Sequence, residues 1–188
     1  MNEKELKIHI TGASGSGTTT LGKALAKKYD IKHFDTDDFF WEKTTIPFSK
    51  KKDEAKAIKK LKNILVQNKS WILTGSLCGW GDFAIKYFDF VIFLYLPKKI
   101  RIERLVAREI RSFGKEAISK GGDMYEIHKK FIDWAKKYDT AGMDIRSRRR
   151  HEAWLSKSKL PVLRIEGDIN IDEKLEMVEK FVKSNNLI

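Results

Sequence analysis

The sequence predicts an α/β fold, a parallel sheet of about five strands between two layers of helices, in one domain spanning residues 1–188. Three observations carry that expectation. Strand-like and helix-like stretches alternate along the chain instead of falling into separate blocks. Leu6–Leu21, LKIHITGASGSGTTTL, runs from an alternating apolar stretch (Leu6, Ile8, Ile10) through a glycine-rich loop into a helix. Asp89–Leu96, DFVIFLYL, is a continuous apolar run of the kind needed by a strand covered on both faces.

The first helix is predicted over Ser16–Tyr29, with Leu21, Ala24 and Leu25 along one side. The loop before it, Gly12–Thr19 (GASGSGTT), matches G-x-x-x-x-G-K-[ST] at every fixed position except one, where Thr18 replaces lysine. Glycines at 12, 15 and 17 permit positive φ and let the backbone approach an anion closely. Successive N–H groups then point into one concavity in front of a helix N-terminus. Gly12, Ala13, Ser14, Gly15, Ser16, Gly17, Thr18, Thr19 and Thr20 are therefore candidate phosphate-binding residues, and Thr19 offers a hydroxyl to Mg2+. The plainer reading is a flexible turn before a helix; the strand in front, the glycine spacing and Thr19 favour phosphate. The missing ammonium has to be replaced, either by an arginine from elsewhere or by Lys23 one turn into the helix.

A short second strand, Ile31–Phe34, runs into Asp35-Thr36-Asp37-Asp38. Ligands of parallel sheets sit at the carboxyl ends of the strands, so Asp35 is expected in the Mg2+ shell and Asp37 or Asp38 facing an acceptor. The competing reading makes Asp37 or Asp38 a helix cap. After a loop at Thr44–Ser49, a helix is expected over Lys51–Asn68, with Ala55, Ile58, Leu61 and Leu65 at helical spacing. The third strand begins at Ser70–Leu73 and ends in a glycine-rich loop, where Trp80 stacks on a ligand ring or joins the core, and Cys78 reads as a small buried residue. Behind the DFVIFLYL strand, the helix from Lys99 to Phe113 carries Ile102, Leu105, Val106 and Ile110 on one side. Arg101, Arg104, Arg108 and Arg111 lie on the other, which reads as an anion clamp with a solvated face as the plainer alternative.

Met124–Tyr138 reads as an amphipathic helix whose stripe (Met124, Ile127, Phe131, Trp134, Tyr138) is expected to pack. Asp139–Asp144 reads as a turn. Ile145–Leu155 reads as a helix on which Arg146 and Arg150 share a face, with His151 at the surface. Pro161–Glu166 supplies the last strand and Asp172–Ser184 the closing helix.

The charge is strongly basic, 38 Lys and Arg against 26 Asp and Glu, or +12. Lys43–Lys69 holds nine lysines against Asp53 and Glu54, and Lys98–Lys115 seven basic residues against Glu103 and Glu109, whereas Glu166–Ile188 is acidic on balance. Such a surface suits phosphorylated small molecules, nucleic acid or an anionic membrane, or is simply solvated helix faces. No apolar run reaches a membrane span, the charged start MNEKELK precedes a strand, and one cysteine makes no internal disulfide, so a reducing cytoplasm is the expected compartment.

The order strand, GxxxxG-x-T loop, DxD after the second strand, apolar strand with L-x-P and arginine helix resembles the P-loop nucleoside-monophosphate kinase superfamily, in particular its adenylate kinase and shikimate kinase branches. That resemblance implies a three-layer P-loop NTPase fold with an acceptor-binding insertion at about 39–69 and a helical lid at about 98–157. It implies transfer of the γ-phosphoryl of ATP, with Mg2+, to a nucleotide or hydroxyl metabolite. LYLPKKIRIERLVAR is similar to adenylate kinase's entry to its lid, which implies that Arg104 stacks on adenine, Arg108 contacts phosphate, and Arg146 and Arg150 are lid arginines. DTD at 35–37 resembles shikimate kinase, which implies Asp35 at the metal and Asp37 at the acceptor. The GxGTTT loop is similar to that of archaeal-type cytidylate kinases, so Thr18 is compatible with transfer. WILTG and FDTDDFFW also resemble bacterial topology-modulation proteins. Three function classes stay open: a kinase, an ATP-binding regulatory or nucleic-acid-associated protein without turnover, or a structural protein with a vestigial loop. Acceptor, base preference and oligomeric state are left open by the residues.

Overall fold

Five strands, β1 (Lys7–Gly12), β2 (Lys32–Asp35), β3 (Trp71–Thr74), β4 (Phe90–Tyr95) and β5 (Val162–Glu166), form one sheet in the order β2-β3-β1-β4-β5. Every neighbouring pair is parallel. The computed structural model describes residues 5–187; the first four residues of the charged start and Ile188 lie outside them.

Strand periodicity explains the layers. Side chains alternate between faces, so Ile8, Ile10, Ile72, Ile92 and Leu94 point to one side. There they meet Leu21 and Leu25 of α1 (Thr18–Tyr29) and Val178 and Val182 of α7 (Ile171–Ser184). Trp71, Leu73, Val91 and Phe93 point to the other side. They pack with Leu61 and Leu65 of α3 (Glu54–Gln67) and with Trp154 and Leu155 of α6 (Arg148–Ser158). Truncating one such buried leucine to alanine costs about 2–5 kcal/mol. Helix α2 (Asp37–Phe40) is a single turn after β2. Helix α4 (Lys98–Phe113) and α5 (Tyr125–Lys136) pack on each other through Leu105, Ile132 and Ala135. Short 3₁₀ turns occupy Asp82–Tyr87 and Lys137–Asp139. No helix among the described residues is long and apolar enough to cross a membrane.

Four expectations change. Helix α1 begins at Thr18 rather than Ser16, because Gly17 sits at φ 93° and cannot be helical. Ala55 is exposed and Ala57 takes its place beside Leu61 and Leu65, the helix being set by Asp53, whose carboxylate accepts the Lys56 N–H. The face of α4 that is buried carries Arg101, Leu105 and Glu109, while Ile110 is 37% exposed. The four arginines thus do not share a solvent face; Arg101 lies inside. Finally, Arg146 precedes its helix: Ser147 is the cap of α6, its hydroxyl accepting the Arg150 N–H.

Candidate active site

The loop between β1 and α1 lies at the carboxyl end of the sheet, and sterics explain its glycines. A Cβ on Gly12 would meet the Leu94 carbonyl at 2.5 Å, and one on Gly15, at φ 84°, the Arg101 carbonyl at 2.7 Å. Ser16 has a different role from the one expected. Its N–H and its hydroxyl both donate to the Ala13 carbonyl, at 3.1 and 2.8 Å, and it is buried. It braces the loop instead of facing a ligand.

The registers of β2 and β3 pair Asp35 with Thr74. Thr19 and Thr74 hydroxyls both donate to Asp35 Oδ2, at 2.9 and 3.0 Å, and the Asp37 N–H donates to Oδ1 at 3.1 Å. No group of three His, Cys, Asp or Glu side chains able to hold a metal occurs among the described residues. Mg2+ does not need one: it keeps several waters and shares its shell with phosphate oxygens, using one or two protein oxygens. The Thr19 hydroxyl and Asp35 carboxylate, hard oxygen donors in contact beside the glycine loop, fit that role.

Asp37 and Asp38 are the first residues of α2, and its capping position, Thr36, makes no side-chain cap. Asp38 is exposed, its carbonyl accepting Lys52 Nζ at 2.6 Å. Asp37 turns inward. Burial raises its carboxyl above the ordinary range and Asp35 adds to this, while Arg146, a hydrogen bond with Trp41 and Arg108 pull it back down.

One cavity of about 300 Å3 collects most of the expected site: Gly12–Gly15, Thr18, Thr19, Asp35, Asp37, Arg108 and Arg146. Arg146 Nη1 lies 3.5 Å from Ser14 Oγ, on the glycine loop itself, and its guanidinium covers the Trp134 ring at 5.2 Å. Arg108 lies over Phe131 at 5.8 Å. Arg150 stands in an adjoining cavity, its Nη2 3.3 Å from the Cys78 carbonyl. Gly17, Thr20 and Arg104 line a third cavity on the outer side of the loop, where Arg104 pairs with Asp168 at 2.5 Å. Lys23 is exposed and lines the outer cleft beside Asp35 and Asp38.

Other residues were missed or misread from sequence. His151 is fully buried, with Nδ1 2.8 Å from the Tyr138 hydroxyl and Nε2 3.1 Å from Ser76 Oγ. Burial, with Arg146 next, lowers its pKa to about 3, so it stays neutral. Arg101 is not part of an anion clamp: its Nη2 pairs with Asp139 at 2.6 Å and its Nε donates to the Leu96 carbonyl at 2.9 Å. Phe131 and Trp134 pack against the Leu105, Ile132 and Ala135 cluster as read, and they also line the central cavity. Helix α5 has two apolar faces, and its aromatic one is the sequence signal that distinguishes them. Cys78, expected buried, is half-buried, and burial raises its thiol.

Comparison with known proteins agrees with this fold. Residues 8–121 match the family described as AAA domain. The chain is 46% identical over 178 residues to the uncharacterized protein YqaC of Bacillus subtilis, covering 95% of this chain and 98% of that one. It is 30% identical over 115 residues to the cytidylate kinase of Archaeoglobus fulgidus, a match covering 55% of this chain and 62% of the kinase. The shikimate kinase of Acinetobacter baumannii, solved with shikimate, superposes with a TM-score of 0.56 at 16% identity, covering 97% of this chain and 96% of that one. The shikimate kinase of Aquifex aeolicus does so with the same score at 18% identity, covering 97% and 99%. The chain belongs to the AAA domain family, within the P-loop nucleoside-monophosphate kinase-like superfamily.

Proposed function

We propose that this chain is an ATP-dependent phosphotransferase that moves the γ-phosphoryl of ATP to a small acceptor. The observation that supports this most is the convergence of the glycine loop, the Thr19–Asp35 pair, Asp37 and Arg146 on one cavity. Thr19 and Asp35 would hold Mg2+, which when bound neutralises phosphate charge. The loop amides grip the β-phosphate, with Ser16 left out of the grip because its N–H is already used. Arg146 takes the place of the lysine absent at Thr18, reaching the loop from the far side of the cavity. Its charge stabilises the phosphoryl group in flight. Arg108 is a second cation on the same cavity. Arg104 and the outer cavity receive the nucleoside end of ATP, with Lys174 beside them. Of the segment from 98 to 157, the part ahead of the Ser147 cap acts as the lid, since Trp154 and Leu155 fix α6 on the sheet, and Arg101, pinned between Leu96 and Asp139, is its anchor.

The test is radiolabelled γ-phosphoryl transfer from MgATP to a panel of nucleoside monophosphates, nucleosides and small hydroxyl compounds. Transfer to at least one acceptor, slowed about 10²–10³-fold in Arg146→Met, is expected. Absence of transfer to every acceptor in wild type contradicts the proposal.

A further inference from the structure

We propose that the lid holds a second ligand site, for an uncharged, largely apolar molecule carrying one hydroxyl, and that its occupancy acts on the phosphate-loop cavity through Arg108. The site is a cavity of about 440 Å3 between the last turns of α4 and the first turns of α5. The coupling, and not the site itself, rests on the phosphotransferase reading.

The two helices close on each other at one end, where Leu105, Ile132 and Ala135 meet. Toward the connection between them they part, and Phe113, Ile118, Met124, Ile127 and Phe131 line a hollow. Protein interiors leave few gaps larger than a water molecule, and this one falls within the range of ligand pockets, about 300–1,000 Å3. The connection is folded tightly over it. The Met124 N–H donates to the Ala117 carbonyl at 3.0 Å, and Gly122 stands where a Cβ would run into the Glu116 and Ala117 carbonyls. Ile118 is thereby tucked in, at 7% exposure.

Charge and hydrogen bonding select the occupant. Glu109 of α4 and His128 of α5 both line the cavity, and His128 Nδ1 donates to the Glu109 carboxylate. His128 Nε2 has no hydrogen-bond partner among the described residues. A hydroxyl satisfies that nitrogen in either protonation state of the ring, donating to its lone pair or accepting its proton. An anion brought in beside Glu109 is repelled, and a cation meets Arg108, which also lines the cavity. An uncharged molecule meets neither penalty.

This cavity has no described lining residue in common with the one at Arg150. With the phosphate-loop cavity it shares Phe48, Arg108 and Phe131. The Arg108 guanidinium lies over the Phe131 ring at 5.8 Å. A ring filling the lid side therefore leaves that guanidinium room on the phosphate side, adding a cation where the triphosphate binds.

The test follows the methyl signals of 13C-methyl methionine-labelled protein by NMR as 2-naphthol, naphthalene or 2-naphthoate is added, Met124 being identified by its loss in Met124→Leu. 2-Naphthol should shift Met124, which lines the cavity, and leave Met177, packed against the sheet from α7, in place. It should bind about twofold to tenfold more tightly than naphthalene, the span of one neutral hydrogen bond, and more tightly than 2-naphthoate. His128→Phe should erase the preference for 2-naphthol over naphthalene. Ile127→Trp fills the cavity and should abolish the Met124 response, with Met177 unmoved as the check on folding. Saturating 2-naphthol should tighten MgATP binding about fivefold or more, and MgATP should tighten 2-naphthol by the same factor. The site is overturned by an unmoved Met124, by a response that survives Ile127→Trp, by a preference that survives His128→Phe, or by naphthalene or 2-naphthoate binding as tightly as 2-naphthol. A Met124 shift with MgATP affinity unchanged overturns the coupling. A Met124 shift in a protein that binds no MgATP upholds the site and counts against the phosphotransferase reading instead.

Discussion

Replacing Arg146 by methionine and, in the same protein, Thr18 by lysine tests whether the loop's missing cation comes from Arg146. The guanidinium lies 3.5 Å from Ser14 Oγ and makes no ion pair among the described residues shorter than its approach to the loop, its main other neighbour being the Trp134 face at 5.2 Å. Methionine preserves that stacking volume and removes the charge. Loss of one preorganised charge-stabilising donor at a transferring group lowers kcat about 10²–10³-fold, or about 2.7–4 kcal/mol. Thr18→Lys alone should change little, because the cation it adds duplicates one already present. In the Arg146→Met background it should recover at least about tenfold, a coupling of about 1.4 kcal/mol or more. The assay is ADP release under saturating MgATP with the fastest acceptor found. Strictly additive effects of the two substitutions, with no recovery in the double variant, refute the reasoning.

Asp37→Asn should abolish transfer to a hydroxyl acceptor and yet stabilise the fold at neutral pH. The carboxyl's pKa is raised in the folded state above the ordinary 3.8, chiefly by burial, so the folded chain binds that proton more firmly than the unfolded one. Stability is therefore lost as pH rises through the carboxylate range, and asparagine removes that loss; urea midpoints should differ at pH 7 and converge near about pH 3. Arg101→Met removes a fully buried guanidinium from its pair with the partly buried Asp139 and leaves that carboxylate, whose Oδ1 already lacks a partner, without its cation. It should cost about 3–5 kcal/mol in urea unfolding, and Asp139→Leu in the same chain should recover part of it. Gly15→Val forces a branched side chain at φ 84° against the Arg101 carbonyl, so thermal unfolding and MgATP binding should both be weakened.

Much of the fold was legible because period and position agree. Ile8 and Ile10 alternate with His9 and Thr11, the glycines follow the strand immediately, and Asp35 falls at the end of β2, which fixes where ligands gather. Helix phase was not legible in the same way. In α4 the pattern Ile102, Leu105, Val106, Ile110 suggested an apolar side, yet Arg101 and Glu109 are buried and Ile110 is exposed. A charged residue is read as solvated unless its partner is known, and Asp139 lies 38 residues away in sequence. His151 was misplaced for the same reason: Tyr138 and Ser76, which satisfy its two nitrogens, come from separate elements. Arg146 differs from its helical expectation in the same way, the Ser147 cap leaving it outside α6. It reaches the glycine loop from a turn ahead of the Ser147 cap, and Arg150 reaches the neighbouring cavity from the helix. Trp134 shows the remaining limit, since periodicity identifies that a face is apolar and leaves open whether it meets the core or a ligand.

Calorimetric titration of ATP into wild type, Gly17→Val and Arg146→Met, each with and without magnesium, tests the central claim most directly. Wild type should bind with a Kd at or below the millimolar range, magnesium should tighten it, and both variants should weaken it, Gly17→Val because valine resists the φ of 93° that opens the loop to phosphate. Absence of heat in wild type, or identical isotherms for all three proteins, contradicts it.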